Sequence, residues 1–189
     1  MEHKIKKWKT LSSEYLFRRP WLTARRDVVM LPDGRINNEF YVLEYPTWVN
    51  VIAITDDGRF VFVEQFRQGL GEVGMELCAG VAEEGEVPEQ AARRELLEET
   101  GYAGGEWTLI SVISGNPSTT NNLAYCFVAK GVKPVAEQHL DSTEDIAVHV
   151  LTREEVFGLL KSDAMKQSLM AAPLWKYFAA EAMGFDPSV

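Results

Sequence analysis

The segment over residues 80–102 constrains this chain more than any other, because it sets three carboxylates at helical spacing. Glu95, Glu98 and Glu99 are three and one residues apart, and at about 100° per residue they fall on one side of a helix. No lysine or arginine follows one turn downstream, and each like-charged pair costs roughly 0.2–0.5 kcal/mol. We expect a bound cation to offset this repulsion, because oxygen ligands suit hard divalent ions such as Mg²⁺. The alternative is a solvated acidic helix face.

The residues that flank the carboxylates predict where this helix begins and ends. Pro88 suits the first helical turn, where a missing N–H removes no hydrogen bond. Gly101 follows the last carboxylates, where a helix commonly ends in a left-handed glycine. The segment therefore predicts the end of a strand, a glycine-containing loop, a short acidic helix and a glycine stop.

This pattern resembles the Nudix box, G-x5-E-x7-R-E-U-x-E-E-x-G-U, in which U is a bulky apolar residue. Tyr102 is the one departure, since it stands where an aliphatic residue is usual. The positions that match in register are Gly80, Glu86, Arg94, Glu95, Leu96, Glu98, Glu99 and Gly101. The resemblance implies an α/β fold, a Nudix-type α/β/α sandwich with a mixed sheet and the box helix beside it.

Composition indicates a folded globular protein and excludes some partners. The chain has 189 residues, of which 46% are hydrophobic and 25% charged. A formal net charge of −9 makes non-specific binding to nucleic acid unexpected, and no stretch approaches the ~20 apolar residues of a membrane span. Cys78 and Cys126 lie in apolar runs, so we expect buried free thiols and a cytoplasmic location.

The pattern of strands predicts a division into residues 1–47 and residues 48–189. The first part has two strand-like runs, over residues 21–30 and 39–45, joined by a turn at residues 31–35 that contains Pro32 and Gly34. We expect these to form a small antiparallel sheet. Two or three strands bury too little surface to be stable alone, so this sheet needs another surface.

The second part alternates strands with a few helices. A hairpin is predicted around residues 56–59, which contain Gly58. A helix over residues 153–160 is opened by a capping box of Thr152 and Glu155, and a last helix starts at about Pro173 and ends at about Met183. The predicted strands cover residues 49–55, 60–65, 75–79, 107–114, 123–129 and 147–151.

Outside the box the chain is similar to the ADP-ribose pyrophosphatase branch of the Nudix family. The similar segments are residues 51–58, 61–67 and 76–80, together with Pro117, which follows the box at the branch's characteristic distance. The resemblance implies hydrolysis of a nucleoside diphosphate sugar, and a homodimer in which the N-terminal part is exchanged between subunits. Residues 118–122 lack the glycine and glutamate of many ADP-ribose enzymes, so GDP-mannose and other nucleoside diphosphate derivatives stay open as substrates.

The reaction needs divalent cations, because the negative oxygens of a diphosphate repel an incoming water. We expect Glu95, Glu98 and Glu99 to hold Mg²⁺, for which Mn²⁺ can substitute. The resemblance implies the carbonyl oxygen of Ala79 as a further ligand. Mutation of Arg94 or Glu86 should still lower the rate, because misplacement of a ligand by ~1 Å can cost on the order of 10²-fold.

Four charged residues are assigned supporting roles. Arg94 and Glu86 are expected to pair and to hold the loop on the helix. Arg67 is the candidate for a diphosphate contact, because a planar guanidinium matches phosphate oxygens; the alternative is an ordinary surface arginine. Glu76 is a candidate nucleotide contact, with an edge-strand solubility charge as the alternative.

The general base is expected on the carboxylate-rich loop over residues 141–145. Glu144 is our choice, and Asp141 or the metals with a box glutamate are the alternatives. Trp48 or Tyr41 are candidates for stacking on a base. A different class of function is a non-catalytic sensor of nucleotide sugars, but the chain keeps every box carboxylate and shows no basic DNA-binding segment.

Overall fold

The structure is a computed structural model that describes residues 4–188. Contacts group the described residues into two compact units. The first unit runs to Pro46 and includes Asn116–Asn122, and the second contains Thr47–Gly115 and the described residues from Leu123 onward. The loop after Ile113 therefore packs with the N-terminal strands, although it is remote from them in sequence.

The first unit is a three-stranded antiparallel sheet of β1 (Lys9–Arg19), β2 (Leu22–Met30) and β3 (Ile36–Glu44), in that order. The antiparallel sheet is as expected, but only two of its strands were predicted. All of β1 is exposed, and its mixed polar and apolar sequence shows no clean alternation. The predicted turn is present, since the Gly34 N–H donates to the Leu31 carbonyl at 3.0 Å and Gly34 has a φ of 89°.

The Asn116–Asn122 segment is fixed to β3 by main-chain hydrogen bonds. The Leu43 N–H donates to the Thr119 carbonyl at 2.7 Å, and the Leu43 carbonyl accepts from the Asn121 N–H at 3.3 Å. The Asn122 side chain donates to the Pro46 carbonyl at 2.9 Å. Asparagine side chains thus satisfy backbone groups that a loop leaves unpaired.

The second unit contains a seven-stranded mixed sheet and three helices. The strands follow the order β10-β5-β4-β9-β8, with β6 paired to β5 and β7 paired to β4. The β4–β9 pair is parallel and the other pairs are antiparallel. The bounds are β4 Trp48–Thr55, β5 Phe60–Arg67, β6 Glu72–Glu76, β7 Cys78–Val81, α1 Pro88–Thr100, β8 Tyr102–Ile113, β9 Ala124–Pro134, β10 Ile146–Leu151, α2 Arg153–Lys161 and α3 Ser168–Met183.

Most predicted elements of this unit are confirmed, including the β4–β5 hairpin, the acidic helix and the capping box of α2. The single strand predicted over residues 75–79 is wrong. It is divided at Leu77 into β6, which pairs with β5, and β7, which pairs with β4. The alternation of apolar and polar residues cannot show this division, because a strand that changes its partner keeps the same hydrophobic pattern.

Two apolar clusters cover the two faces of the sheet, so the unit is the expected α/β/α sandwich. On one face Val49 and Val51 of β4 pack with Ala92 and Leu96 of α1. On the other face Ile52 packs with residues of α2 and α3. Alternate residues of β4 serve opposite faces, as the period of two requires. Cys78 and Cys126 are buried and free, as expected. None of the helices among residues 4–188 is long and apolar enough to cross a membrane.

Helix α3 begins at Ser168, so the predicted start at Pro173 is wrong. A proline within a helix has no N–H for the carbonyl four residues earlier, and here that carbonyl belongs to Leu169. The side-chain amide of Asn50 donates to the Leu169 carbonyl at 3.1 Å. A buried polar residue of β4 therefore satisfies the helical hydrogen bond that Pro173 removes.

Gly101 ends α1 in the left-handed conformation, with a φ of 74°, and its N–H donates to the Leu97 carbonyl at 2.8 Å. A Cβ at this position would overlap the carbonyl oxygen of Ala136. The residue is therefore restricted by conformation and by space.

Replacing Gly101 with alanine is expected to destabilise the protein by more than the roughly 1–2 kcal/mol of left-handed strain alone, because the Ala136 carbonyl must also move. Gly104→Ala is the matched control, since Gly104 has a φ of 84° and open space around its Cβ position. The free energy of unfolding from urea titrations checks this. Equal losses for the two variants would contradict the steric part of the argument.

Candidate functional site

Glu99 is a buried carboxylate at the junction of α1 and β7. Its side chain accepts from the Ala79 N–H at 3.0 Å, and the residue is 3% exposed. Burial raises the pKa of Glu99 to about 7, against the hydrogen bonds from Cys78 and Ala79, and the charges of Glu95 and Glu144 add to the increase. An ionised Glu99 is therefore short of positive charge in its surroundings.

Glu95 lies beside Glu99 on the same helix face and packs against Gly80 of β7. A Cβ on Gly80 would overlap the Glu95 carboxylate, so only glycine allows this approach without displacing it. Burial raises the pKa of Glu95, although an ion pair with Arg94 at 2.9 Å opposes the increase. The helix and the strand thus bring two partly desolvated carboxylates to one edge of the sheet.

Arg94 connects the helix to the loop before it. The expected pair with Glu86 is present at 3.1 Å, and Arg94 also donates to the Val81 carbonyl at 2.9 Å. The same guanidinium contacts Glu95 at 2.9 Å and Glu98 at 3.0 Å. These contacts, with Glu86 foremost, raise the pKa of Arg94.

The expectation that nothing relieves the repulsion between the box glutamates is therefore wrong for Glu95 and Glu98. Their counter-charge is Arg94, which lies one turn before Glu98 rather than one turn after it. Among residues 4–188 the Glu99 carboxylate has no such partner: its hydrogen bonds come from the Ala79 N–H and the Cys78 thiol. The glutamate without a cationic partner is thus the most buried of the three.

Ala79 presents its backbone to the same edge as Glu99. In an antiparallel strand the N–H and C=O of one residue point to the same side. The Ala79 N–H is bonded to Glu99 and not to the paired strand β4. Its carbonyl oxygen therefore also faces away from β4, toward the carboxylates of α1.

The oxygen donors at this edge fit a hard divalent cation. Within residues 4–188, no three His, Cys, Asp or Glu side chains are already arranged as a metal site, and Glu95 and Glu98 are turned toward Arg94. Rotation of these two flexible side chains would join them to the buried Glu99. A cation would compensate the charge of that carboxylate, and oxygen ligands are those that Mg²⁺ prefers.

Arg67 and Glu76 form a bidentate ion pair where β5 and β6 run side by side. The Arg67 Nε donates to Glu76 at 3.0 Å and Nη2 donates at 2.6 Å, and these hydrogen bonds raise the pKa of Arg67. Glu76 is buried, so the alternative of an edge-strand solubility charge is wrong. Nη1 takes no part in this pair.

Glu144 lies in a tight turn with Asp141 on the loop before β10. The Asp141 N–H donates to the Glu144 carboxylate at 2.9 Å, and the Glu144 N–H donates to the Asp141 carbonyl at 3.0 Å. The negative charge of Glu144 raises the pKa of Glu99 and of Arg67. The loop therefore brings its carboxylate within electrostatic range of the box helix.

Two clefts of the second unit meet at Arg67 and Gln167. One of about 340 Å³, here called the α3-side cleft, is lined by residues that include Trp48, Asn50, Ala79 and Leu169. The other, of about 430 Å³, lies between the β5–β6 hairpin and residues 164–167. The contribution of α3 was not predicted. The one sequence signal was Asn50, a polar residue within an apolar strand.

Two known domain families match consecutive parts of the chain. A model of the NUDIX domain matches residues 44–172, and a model of the nucleoside diphosphate sugar hydrolase N-terminal domain matches residues 8–43. An ADP-ribose pyrophosphatase of Bacillus subtilis (strain 168) is 33% identical over 82% of this chain and 83% of its own length. A methanol dehydrogenase activator of Bacillus methanolicus is 32% identical over 85% of this chain and 86% of its own.

The fold is also similar to that of a solved structure. The crystal structure of an ADP compounds hydrolase superposes with a TM-score of 0.76 and 20% identity, over 97% of this chain and 99% of that chain. At this identity the similarity concerns the fold, and it agrees with the sandwich described above.

Gly80→Ala is expected to weaken Mn²⁺ binding by about 10- to 100-fold, the usual effect of displacing the support of a ligand, because the new methyl group pushes the Glu95 carboxylate aside. The free energy of unfolding should change by less than about 1 kcal/mol, since a flexible side chain gives way. Gly74→Ala on β6, with open space at its Cβ position, is the control. Isothermal titration calorimetry measures the Mn²⁺ affinity of both variants, and urea titration measures their free energies of unfolding. Unchanged Mn²⁺ affinity in Gly80→Ala would remove Glu95 from the metal site.

Proposed function

Because the chain belongs to the NUDIX family, we propose that it hydrolyses the diphosphate bond of ADP-ribose or a related nucleoside diphosphate sugar. The products are a nucleoside monophosphate and a sugar phosphate. The observation that carries the proposal is the buried, unneutralised Glu99 beside Glu95 and the Ala79 carbonyl. The match of residues 8–43 to an N-terminal domain of nucleoside diphosphate sugar hydrolases supports this substrate class.

The proposed cofactor is Mg²⁺, with Mn²⁺ able to replace it, held by Glu95, Glu98, Glu99 and the Ala79 carbonyl. When bound, the metal supplies positive charge that neutralises the diphosphate oxygens and acidifies water. Glu99 is held in place by the Ala79 N–H, so its position does not depend on the metal. Arg94 and Glu86 hold the loop on the helix, and Arg94 also donates to the carbonyl of Val81, which follows Gly80.

Arg67 is the proposed contact for the diphosphate. Glu76 fixes the plane of its guanidinium and leaves Nη1 for a phosphate oxygen. Glu144 is the proposed general base: its carboxylate takes a proton from water as the water oxygen bonds to phosphorus and the bridging oxygen leaves with its electron pair. Asp141, whose N–H holds Glu144, is the alternative base on that loop.

We also propose that the chain forms a homodimer through the sheet of its first unit. The strands and turns of the first unit expose large apolar side chains that water disfavours. They include Trp8, Leu11, Phe17, Trp21 and Ile36. A three-stranded sheet with so much exposed apolar surface gains stability from a second copy. We propose a cytoplasmic location, which the two free buried thiols support.

Incubation of the purified protein with ADP-ribose and Mg²⁺ is expected to release AMP and ribose phosphate. Glu98→Gln and Glu99→Gln should each lower kcat by about a thousandfold, as loss of a charge-stabilising group does. Glu106→Gln is the control, because Glu106 is an exposed glutamate on β8. Chromatography of the products measures the rates.

Tight binding of intact ADP-ribose without cleavage would contradict the enzymatic proposal and identify a sensor. If the protein releases GMP from GDP-mannose faster than AMP from ADP-ribose in the same assay, GDP-mannose is the preferred substrate. Near-normal rates in the two glutamine variants would exclude those glutamates as metal ligands.

Light scattering of the chain in solution is expected to give twice the mass of 21.3 kDa. Phe17→Glu should shift the protein toward the monomer, because it places a charge in the proposed interface. Val135→Glu is the matched control, since Phe17 is 56% and Val135 63% exposed and Val135 belongs to the second unit. A monomeric wild type, or equal effects of the two variants, would contradict a dimer formed through this sheet.

A further inference from the structure

Asn50 lies at the boundary between the proposed metal edge and the α3-side cleft. It stands directly opposite Ala79 in the β4–β7 ladder. Opposite residues of an antiparallel pair point their side chains to the same face. The Asn50 side chain therefore lies on the α3 face of the sheet, while the box carboxylates approach the edge from the α1 face.

The orientation of the Asn50 amide is fixed by Pro173. Because proline has no N–H, the Leu169 carbonyl lacks its helical donor, and the Asn50 Nδ2 replaces it at 3.1 Å. The reversed amide would place two carbonyl oxygens against each other. Nδ2 therefore faces α3, and Oδ1 lies at the other end of the group.

Oδ1 has no hydrogen-bond partner among the described residues, although the Asn50 side chain is buried and the residue is only 3% exposed. A buried carbonyl oxygen without a donor destabilises a folded protein. The Pro173 contact explains the amide nitrogen but leaves the oxygen unexplained, and its neighbours in sequence, Val49 and Val51, are apolar. A ligand that brings a donor would supply what folding does not.

The surroundings of Asn50 indicate the kind of ligand. Asn50 lines the α3-side cleft with Arg67 and Ala79, the two groups proposed to meet the diphosphate and its metal. At about 340 Å³ the cleft has room for one nucleobase or one sugar ring. A nucleoside diphosphate sugar bound at that edge would direct one of its two organic groups into this cleft.

Resting on the proposed function, we propose that Asn50 determines substrate specificity: its Oδ1 accepts a hydrogen bond from a hydroxyl or amino group of the ring that occupies the α3-side cleft. The oxygen is covered in the free protein, so a side chain of the cleft wall rotates when the ring enters. A site built to bond a donor discriminates against analogues that lack it, because the acceptor then stays unpaired.

The two ends of the amide can be separated by mutation. Asn50→Leu removes both Nδ2 and Oδ1, and it leaves the Leu169 carbonyl unpaired. Pro173→Ala supplies the missing helical N–H to that carbonyl. In the double variant Asn50→Leu/Pro173→Ala, the Leu169 carbonyl again has a donor. The loss of the acceptor Oδ1 is then the change that remains uncompensated.

We expect Asn50→Leu to lower the melting temperature and the double variant to recover most of that loss. The KM for ADP-ribose should rise about tenfold in both, the equivalent of one hydrogen bond, with kcat changed less than KM. Pro173→Ala alone should raise the KM less than the double variant does, because it frees the amide to turn but keeps Oδ1. A double variant that recovers both stability and KM would show that Asn50 only supports α3, and would overturn the proposal.

The donor is identified by substrate analogues in the same assay. If the amino group of adenine is the donor, the analogue with unsubstituted purine in place of adenine should have the same KM with the wild type and the double variant. If a sugar hydroxyl is the donor, the analogue that lacks that hydroxyl should instead be the one with equal KM values for the wild type and the double variant. If the KM of the double variant is about ten times that of the wild type for every analogue alike, none of the removed groups is the donor. That result would overturn the assignment of a single donor. Failure of the wild type to cleave any nucleoside diphosphate sugar would instead reject the proposed function.

Discussion

The hydrogen bond from the Ala79 N–H to the buried carboxylate of Glu99 is the contact on which the site depends. It joins the acidic helix to the edge strand β7 and turns the Ala79 carbonyl to the same side. It also holds a charged group where burial opposes ionisation, since the pKa of Glu99 rises to about 7. A cation from outside the chain would offset this cost, which is why we propose Glu99 as a metal ligand.

The rest of the motif serves this junction. Gly80 lets the Glu95 carboxylate approach the strand, and Arg94 ties the loop, the strand and two glutamates together. Arg94 also gives Glu95 and Glu98 a counter-charge, which they must leave to reach a cation. The site therefore combines one carboxylate held by a backbone N–H with two that are paired to the same arginine.

Edge strand β7 separates two environments. Carboxylates approach it from the α1 face, and the cleft with Asn50 lies on the α3 face. This arrangement suits a substrate with a charged centre and an uncharged ring, because each part meets surroundings of matching polarity. Pro173 affects this cleft indirectly. Because it has no N–H, the Leu169 carbonyl accepts from the Asn50 amide instead, and this hydrogen bond sets the direction of the amide.

Much of the second unit was predictable because its signals are local. Pro88 and Gly101 mark the ends of α1, Gly58 marks the β4–β5 hairpin, and Thr152 with Glu155 caps α2. Each of these acts through backbone geometry within a few residues. The exposed strand β1 and the division of β6 from β7 were not predictable in this way, because strand partners are chosen by distant segments.

The sequence by itself determined the acidic helix, its glycine stop and the pairing of Arg94 with Glu86, since spacing and backbone preference are properties of short segments. The sandwich was implied by the resemblance of the box to a known family. Only the tertiary structure decided which glutamate is buried, that Arg94 neutralises the other two, and that Asn50 meets α3. Burial and electrostatic pairing depend on which surfaces come together when the chain folds, and the order of residues in a short segment does not contain that information.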